Sequence, residues 1–391
     1  MDYLEQSFSV AFDYRVYFTS GLFEVSNRDL EHFLSHRTIP LVRQKILFVL
    51  DEGVLAAHPL LRDQIRSYFA HNTSVSLAEE MITLPGGEEA KNHYRYFDSI
   101  LQSIDRNAID RHSYVAAIGG GSVLDLAGFA SAVAHRGIKH LRIPTTVLSQ
   151  NDSGIGVKNG INYNGKKNFI GNFAPPVAVF NDERFLATLS PRDWRCGMAE
   201  AIKVALIKDA GFYYWIEDNM EKLAARDRRA TNDLIRRCAA LHLEHIASGD
   251  PFELGSSRPL DFGHWSAHKL EQESGFKILH GEAVAMGIAL DTMYSALSGH
   301  LMMEKAERII RLIAKAGFDI SHPLLEIRDE NSELLKGLQE FREHLGGQLT
   351  VMLLSDIGKG LEVHDLNFSI LREASQKLEH YPQPMTEKIK N

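Results

Sequence analysis

Short strand-like runs separated by helical stretches occur along the first part of the chain. They lie at residues 45–50 (KILFVL), 114–118 (YVAAI), 141–143 (LRI) and 177–180 (VAVF), and residues 9–20 alternate polar with β-branched and aromatic side chains. Continuous apolar runs of this length are typical of strands buried on both faces of a parallel sheet. The pattern therefore predicts an α/β domain over residues 1–181, in which strands alternate with helices.

The pattern changes near residue 181. Beyond it strand signals become rare, and apolar residues recur with helical periodicity, as in residues 193–206 and 304–316. A recurrence of this kind predicts amphipathic helices. We therefore expect a second, mostly α-helical domain over residues 182–391.

A glycine turn follows one of the predicted strands. Gly119, Gly120 and Gly121 come directly after residues 114–118, and Ser122 begins a helix rich in Ala and Leu. Such a turn lets the backbone approach a bulky ligand, and the helix N-terminus that follows attracts a phosphate. The chain lacks the G-x-G-x-x-G spacing of the usual dinucleotide site, so a packing turn without a ligand remains an alternative.

Two further segments carry polar groups that suit a nucleotide or a phosphate. PGGEEAK (residues 85–91) places Glu88 and Lys91 three residues apart, either to hold a ribose hydroxyl or as an exposed salt bridge. Residues 149–173 are dense in Gly, Asn and Lys, as expected of a loop that binds a phosphate-bearing substrate. A hairpin that turns at Asn164 and Gly165 is compatible with either role of that segment.

Glutamate and histidine residues in the second half have a spacing that suits a metal ion. Glu200 and Lys203 lie one helical turn apart in AEAIK, His264 and His268 lie four apart in FGHWSAH, and His280 begins HGEAV. One Glu and two His leave an open coordination position, as in catalytic zinc sites. A pair of His four apart is also common by coincidence, so the residues alone leave both interpretations open.

Composition narrows the class of protein. The 391 residues include 43 Lys and Arg against 51 Asp and Glu, 44% hydrophobic residues and 2 Cys. A net charge of -8 gives no reason to expect a nucleic-acid partner. Two cysteines favour a reducing, cytoplasmic setting, and neither a signal peptide nor a membrane span of about 18 apolar residues is expected.

The motifs and their spacing, from about residue 9 to beyond residue 350, resemble the 3-dehydroquinate synthase family of NAD-dependent sugar-phosphate cyclases. The matching segments include PGGEEAK, GGGSVLD, His135 to Gly137, GKKNFIGNF, AEAIK, FGHWSAH and HGEAV. The resemblance implies a nucleotide-binding α/β domain followed by a helical metal-binding domain, a small-molecule sugar phosphate as substrate, and a homodimer.

The resemblance also implies a role for each matching residue. NAD would be bound by Asp51, Glu88, Lys91, Gly120, Gly121, Ser122, Asp125, Thr145, Thr146 and Lys167, and Zn²⁺ or Co²⁺ by Glu200, His264 and His280. Catalytic roles would belong to Asp152, Lys158, Lys203 and His268, and substrate binding to Arg136, Asn168, Arg258 and Asp261. Arg136 would contact the substrate phosphate, either in its own chain or across a dimer interface.

The reaction implied by the family begins with oxidation of a ring alcohol by NAD. Phosphate then leaves by β-elimination, the cofactor returns its hydride, and the opened ring closes by an intramolecular aldol reaction. NAD is regenerated in each cycle, so the enzyme would be a carbon–oxygen lyase without net redox change.

Departures from the family pattern bear on the substrate. Asp261 stands where synthases acting on the seven-carbon carboxylate substrate, 3-deoxy-arabino-heptulosonate 7-phosphate, carry Asn, and their Lys is missing near Leu243. Arg258 matches a carboxylate-binding Arg only after a one-residue shift. Added negative charge should penalise a substrate carboxylate, which favours sedoheptulose 7-phosphate and a valiolone-type product. The retained His268 argues partly against that substrate.

Two other functions remain compatible with the sequence. A metal-dependent polyol or glycerol-type dehydrogenase resembles this architecture, but would be expected to use Asp and several His as ligands. A non-catalytic relative could keep the fold as a binding module, although every expected ligand residue is present.

Overall fold

The computed structural model describes residues 1–72, 74–252, 259–344 and 349–381. Its strands are β1 (Arg15–Thr19), β2 (Lys45–Asp51), β3 (Ser76–Leu84), β4 (Tyr114–Gly119), β5 (Lys139–Pro144), β6 (Lys158–Tyr163), β7 (Lys166–Phe173), β8 (Ala178–Asp182), β9 (Val351–Asp356) and β10 (Lys359–Val363). Six of them form a parallel sheet in the order β1-β8-β5-β4-β2-β3. The hairpins β6–β7 and β9–β10 are separate and antiparallel.

Helices flank this sheet and form most of the second half. In the first half they are α1 (Asp29–Ser35), α2 (Glu52–Ala57), α3 (Leu61–His71), α4 (Glu89–Asn92), α5 (Tyr94–Arg106) and α6 (Gly121–Val133). In the second half they are α7 (Pro191–Lys208), α8 (Ala210–Asp218), α9 (Met220–Ala224), α10 (Arg228–Ala247), α11 (His264–Glu273), α12 (His280–Leu297), α13 (Met303–Lys315), α14 (Glu333–His344) and α15 (Phe368–Glu379). None of the helices in the described ranges is both long and apolar enough to cross a bilayer.

The sheet is buried on both faces, as the apolar runs predict. Successive residues of β2 point to opposite faces: Phe48 and Leu50 pack in the core under α1 and α3, whereas Leu47 and Val49 pack under α5 and α6. Burial on both sides explains why the strand sequence is continuously apolar rather than alternating. The predicted α/β fold class with a helical second half is confirmed.

The second core surrounds α12. This helix is buried along almost its whole length and packs against α7, α11, α13 and α15. A helix that is apolar on all faces belongs in the centre of a helical layer. The helices predicted at residues 193–206 and 304–316 correspond to α7 and α13.

Three local features differ from the sequence prediction. Only Arg15–Thr19 of residues 9–20 forms a strand, because pairing with β8 begins at Arg15. Strand β3 was not predicted, since Glu79 and Glu80 interrupt its apolar pattern at the edge of the sheet. The hairpin β9–β10 lies in the half expected to be helical. The division into two domains at residue 181 stays a prediction, although the last strand of the sheet ends at Asp182.

Candidate functional site

The glycine turn lies at the carboxyl edge of the parallel sheet, between β4 and α6. Gly120 precedes α6 in an extended conformation, and the first turn of the helix opens toward this edge. A Cβ on Gly119 would lie 2.9 Å from the Cβ of Val123 and 3.1 Å from that of Asp51. Only glycine therefore allows the backbone to turn here, and the edge forms the kind of crevice where open α/β sheets bind ligands.

Asp51, at the end of β2, faces the same crevice. Its carboxylate accepts hydrogen bonds from the backbone N–H of Gly53 at 2.8 Å and of Val54 at 3.3 Å, which caps α2. Burial raises the pKa of Asp51, against the opposing effect of these backbone donors. The residue thus has a structural role as a helix cap beside its predicted contact with NAD.

The PGGEEAK segment packs against α6 and the hairpin β6–β7. Lys91, 4% exposed, lies 2.9 Å from Asp125 and also donates to Asn168. Asn162 donates to the Glu88 carboxylate at 2.8 Å. The alternative of an exposed Glu88–Lys91 salt bridge is therefore wrong, because Lys91 is buried and pairs with Asp125.

Lys167 links this group of residues to the helical half. Its Nζ lies 3.6 Å from Glu88 Oε1 and 2.6 Å from Glu271 Oε1. Burial disfavours the charged amine, but Glu271 and Glu88 outweigh burial and raise the pKa of Lys167. Glu271 is 2% exposed, and its pKa is lowered because His280 and Lys167 outweigh its own burial.

Glu200, His264 and His280 meet at the junction of three helices. Each offers one ligand atom, and these atoms lie within 4.8 Å of one another. Glu200 lies in α7, whereas His264 and His280 are the first residues of α11 and α12. Close helix packing makes this possible, since a Cβ on Gly281 would lie 2.4 Å from the Cα of Cys196 in α7.

The protonation of Glu200 and of His264 fits a divalent cation. Burial opposes ionisation of Glu200, but Lys203 outweighs it and lowers the pKa of Glu200 to about 2. Neither Glu200 oxygen, although fully buried, accepts a hydrogen bond of good geometry from the described residues. Burial and Lys203 lower the pKa of His264, which leaves it neutral as a metal ligand must be. One carboxylate and two imidazoles form the donor set of a catalytic zinc or cobalt site.

The second imidazole, His280, contacts a carboxylate through each of its ring nitrogens. Burial disfavours protonation of His280, but Glu271 outweighs burial and raises its pKa to about 9. His280 Nε2 lies 3.4 Å from Glu200 Oε1, and its Nδ1 lies 3.0 Å from Glu271 Oε2. In His264, Nε2 lies 3.8 Å from Glu200 and Nδ1 lies 3.1 Å from the Phe262 carbonyl. Both rings therefore direct Nε2 toward the same point.

Charged residues of the predicted substrate pocket lie beside the three candidate ligands. Lys203 Nζ is 2.5 Å from Glu200 Oε2, and the His268 and His264 rings are 5.5 Å apart. The pKa of Lys203 is raised, because the negative charges of Glu200, Asp152 and Asp261 outweigh the effect of burial, which by itself would lower it. The sequence-predicted residues Lys203, His268, Asp152 and Asp261 are thus brought together.

Asp152 occupies a π-helical turn over Ser149–Ser153, a backbone form found often at functional sites. Its Oδ1 lies 2.8 Å from His242 Nδ1 in α10. Burial and Glu200 oppose its ionisation, yet Lys203 and His242 lower its pKa. Asn151 donates to the Gly197 carbonyl at 2.8 Å, which fixes the turn against α7.

Other predicted residues line the edge of the crevice or lie apart from it. Thr145 donates its backbone N–H to the Gly119 carbonyl, and Ser122 Oγ lies 3.5 Å from Glu88 Oε1. The Thr146 and Ser149 hydroxyls are 2.8 Å apart. Lys158 begins β6 with an exposed side chain. Arg258 lies outside the described residues.

Arg136 is exposed just beyond the C-terminal end of α6. The glycine turn is at the other end of this 13-residue helix, about 20 Å away. His135 and Arg136 both have positive φ, at 50° and 62°. Within one chain, Arg136 therefore lies at the end of α6 that faces away from the predicted phosphate-binding turn.

Three residues of the site were not predicted as functional. Glu271 and His242 lie in helices whose polar residues are numerous, so only tertiary contacts distinguish them. Arg142, fully buried in β5, donates to the carbonyls of Gly156 and Lys158 at 2.6 and 3.0 Å and so holds the segment that follows Asp152. The sequence did offer one indication of a special role for Arg142, since it is a charged residue inside a strand predicted to be buried.

Comparison with known proteins assigns the chain to a family. A model of the 3-dehydroquinate synthase N-terminal part matches residues 81–196, and a model of the C-terminal part matches residues 197–340. A 3-dehydroquinate synthase of Vibrio atlanticus is 35% identical over 334 residues, which cover 85% of this chain and 89% of that protein. The chain belongs to the 3-dehydroquinate synthase family.

Solved structures extend the comparison beyond dehydroquinate formation. A 2-epi-5-epi-valiolone synthase from Streptomyces hygroscopicus subsp. jinggangensis 5008, with NAD⁺ and Zn²⁺ bound, superimposes with a TM-score of 0.87 at 27% identity, covering 97% of this chain and 100% of that one. A probable glycerol dehydrogenase from Sinorhizobium meliloti 1021 has a TM-score of 0.61 at 16% identity, covering 94% and 97%. The latter similarity shows a common fold only. This member of the 3-dehydroquinate synthase family thus shares its architecture with both cyclases and dehydrogenases.

Proposed function

We propose that the protein is a sugar-phosphate cyclase that uses NAD and a divalent metal, Zn²⁺ or Co²⁺, and eliminates phosphate. The observation that carries this proposal is that the group Glu200, His264 and His280 is connected by side-chain contacts to Glu88, whose carboxylate lies 3.5 Å from Ser122 in the first turn of α6. Lys167 and Glu271 join the two groups in one continuous arrangement. Such an arrangement suits a reaction in which NAD, if bound, would accept a hydride from a substrate alcohol, while a divalent metal, if bound, would polarise the alcohol oxygen.

The chain's own residues would divide the work between two sides of the crevice. A bound divalent metal would polarise the substrate oxygen whose charge changes. Lys203 and Asp152 hold opposite charges next to Glu200 and would orient the substrate hydroxyls, with His268 adjoining them. Gly120, Gly121 and Lys167 would receive the phosphates of NAD at the start of α6.

The substrate we propose is sedoheptulose 7-phosphate, which has no carboxylate. Asp261, Glu200 and Asp152 all raise the pKa of Lys203, so three carboxylates lie within electrostatic range of this one amine. His242, next to the position where the family lysine is missing, is held by Asp152 at 2.8 Å. A substrate carboxylate would meet this negative charge without the lysine that compensates it in dehydroquinate-forming relatives.

Arg136 leads us to propose a homodimer as the active form. It lies about 20 Å from the glycine turn along α6, so it would serve the phosphate of a substrate bound to a second copy. The left-handed backbone at His135 and Arg136 supports a functional constraint on this segment.

Both cysteines are free, which fits the expected cytoplasmic setting.

The test is an assay of the purified protein with NAD⁺ and Zn²⁺ or Co²⁺. Sedoheptulose 7-phosphate and 3-deoxy-arabino-heptulosonate 7-phosphate are offered separately, and phosphate release and the mass of the cyclic product are measured. We expect a valiolone-type product without accumulation of NADH. Efficient formation of 3-dehydroquinate would reverse the choice of substrate. Net NADH from a simple polyol would instead indicate a dehydrogenase, and binding of neither metal nor NAD⁺ would indicate a non-catalytic relative.

A further inference from the structure

Glu271 is neither one of the three candidate metal ligands nor one of the residues predicted to bind NAD, yet it contacts a residue of each group. It lies in α11, seven residues after His264, so two helical turns place both side chains on one face. Its side chain is 2% exposed, in a region where an isolated carboxylate would be costly. A buried carboxylate of this kind needs partners for both oxygens.

The two oxygens of Glu271 have different partners. Oε2 lies 3.0 Å from His280 Nδ1, and Oε1 lies 2.6 Å from Lys167 Nζ. Because a carboxylate only accepts hydrogen bonds, His280 Nδ1 carries the proton in this contact. Nε2 is then the atom left to bind a metal, and it is the nitrogen that faces Glu200.

Lys167 extends the arrangement toward the nucleotide crevice. It lies in β7 and is also 3.6 Å from Glu88, at the start of α4. Glu271 is therefore the group through which the hairpin β6–β7 is held to the first turn of α12.

We infer that Glu271 is a positioning residue that orients His280 for metal binding and, through its other oxygen, holds Lys167 at the nucleotide crevice. The inference rests on the proposed function, since it concerns the same metal site. Carboxylates that accept the second N–H of a metal-bound histidine typically change metal affinity by about 10- to 100-fold when removed. Glu271 also contacts Lys167, one of the residues predicted to bind NAD.

The variant Glu271→Gln tests this most directly. A Gln side chain keeps the shape but has one acceptor oxygen, so its NH₂ group must face either His280 Nδ1–H or Lys167, both of which are donors. We expect the Kd for Zn²⁺, measured by chelator competition, to rise about 10- to 100-fold, and NAD⁺ binding measured by calorimetry to weaken. The absorption spectrum of the Co²⁺ form should also change.

Glu273→Gln is the matched control. Glu273 lies in the same helix, and its carboxylate is 3.0 Å from Lys269, which has a second partner in Glu340 at 3.2 Å. The control loses the same charge from α11 without touching His280. Zn²⁺ and NAD⁺ affinities of this variant should remain within about twofold of wild type. Wild-type Zn²⁺ affinity and an unchanged Co²⁺ spectrum in Glu271→Gln would overturn the inference.

A measurement on the wild-type protein covers the case in which Glu271→Gln does not fold. Histidine-ring NMR of the Zn²⁺-loaded, ¹⁵N-labelled protein should show His280 bound through Nε2, with a protonated Nδ1 in a strong hydrogen bond. Coordination through Nδ1, or a solvent-exchanging Nδ1 proton, would contradict the inference while the proposed function stands. A wild-type protein that binds neither Zn²⁺ nor Co²⁺ would overturn the proposed function and this inference together.

Discussion

Asp291 shows how a single buried carboxylate supports the metal site from a distance. It is 1% exposed in α12 and accepts hydrogen bonds from Trp265 Nε1 at 2.9 Å and from the backbone N–H of Gly263 at 3.0 Å. These contacts fix the start of α11, where His264 lies. Burial raises the pKa of Asp291 to about 7, and the two donors only partly offset that effect.

The raised pKa of Asp291 predicts a dependence of stability on pH. Between about pH 4 and 7 the folded state binds more protons at this residue than the unfolded state, so its contribution to stability falls as pH rises through that window. The effect is on the order of a few kcal/mol. In Asp291→Asn this dependence should be absent, so the difference in unfolding free energy between wild type and variant should be larger at pH 5 than at pH 8.

Thermal or urea unfolding of both proteins at the two pH values provides the measurement. Asp218→Asn, an exposed substitution at the end of α8, is the control. It should change the free energy of unfolding by the same amount at pH 5 and at pH 8. Equal differences at pH 5 and pH 8 for Asp291→Asn would show that this carboxylate does not titrate in the window.

Asp261 carries the prediction about substrate preference. Asp261→Asn removes one of the three carboxylates that act on Lys203. We expect kcat/KM for 3-deoxy-arabino-heptulosonate 7-phosphate to rise at least about tenfold relative to sedoheptulose 7-phosphate, because a like charge no longer opposes the substrate carboxylate. Asp63→Asn, exposed on α3, should leave the ratio unchanged. An unaltered ratio for Asp261→Asn would place the discrimination elsewhere.

At the scale of the elements, the site depends on how closely α7, α11 and α12 pack. His280 and Glu200 approach each other because Gly281 rests directly on the backbone of Cys196. Gly197, the next residue of α7, allows a similarly close contact with residues 147 and 148, since its Cβ would lie 2.5 Å from Leu148 N and from Val147 Cβ. The ligands thus come from helix positions whose neighbours are too small to keep the helices apart.

Gly281→Ala should therefore damage both stability and metal binding. The added Cβ would lie 2.4 Å from backbone atoms of Cys196, which cannot move aside as a flexible side chain would. We expect a loss of about 1 to 3 kcal/mol in stability and a clearly weaker affinity for Zn²⁺. Melting temperature and chelator competition measure the two effects.

Gly211→Ala is the corresponding control for a glycine in a helix. Gly211 is exposed in α8, and the nearest contact of an added Cβ is Asp209 Oδ1 at 3.2 Å. This change should be neutral or slightly stabilising, because Ala is the better helix former. Normal Zn²⁺ affinity in Gly281→Ala would mean that the spacing of α7 and α12 does not govern the site.

For the whole molecule, the position of Arg136 predicts that each active site needs two chains. Arg136→Ala and Glu200→Gln should each abolish activity alone. When the two inactive proteins are unfolded together and refolded as a mixture, one site in each mixed dimer regains an intact Glu200 and the partner's intact arginine. Activity should recover to about a quarter of the wild-type value.

The complementation assay separates this arrangement from its alternative. If Arg136 served its own chain, every site in the mixture would lack one of the two residues, and no activity would return. Analytical ultracentrifugation of the wild-type protein supplies the control, since a monomer at assay concentration would also exclude a shared site.

Much of the fold was readable because its determinants are local. The continuous apolar runs at residues 45–50 and 114–118 identified central strands, and the Asn164–Gly165 pair identified the turn of β6–β7, where both residues have positive φ. Strand β3 was not predicted from the sequence. It lies at an edge of the sheet, where charged residues are tolerated, and a pattern with charged residues is not specific to strands.

The candidate site divides in the same way between local and distant information. The types and spacing of Glu200, His264 and His280 already indicated a carboxylate and two imidazoles. The contacts of Glu271 with Lys167 and of His242 with Asp152 join residues about 100 positions apart, and no local pattern encodes such pairs. Residue type and spacing therefore indicated which chemistry was available. Which groups are buried, oriented and charged depended on three helices and a hairpin meeting in space, because burial and long-range pairing set those properties.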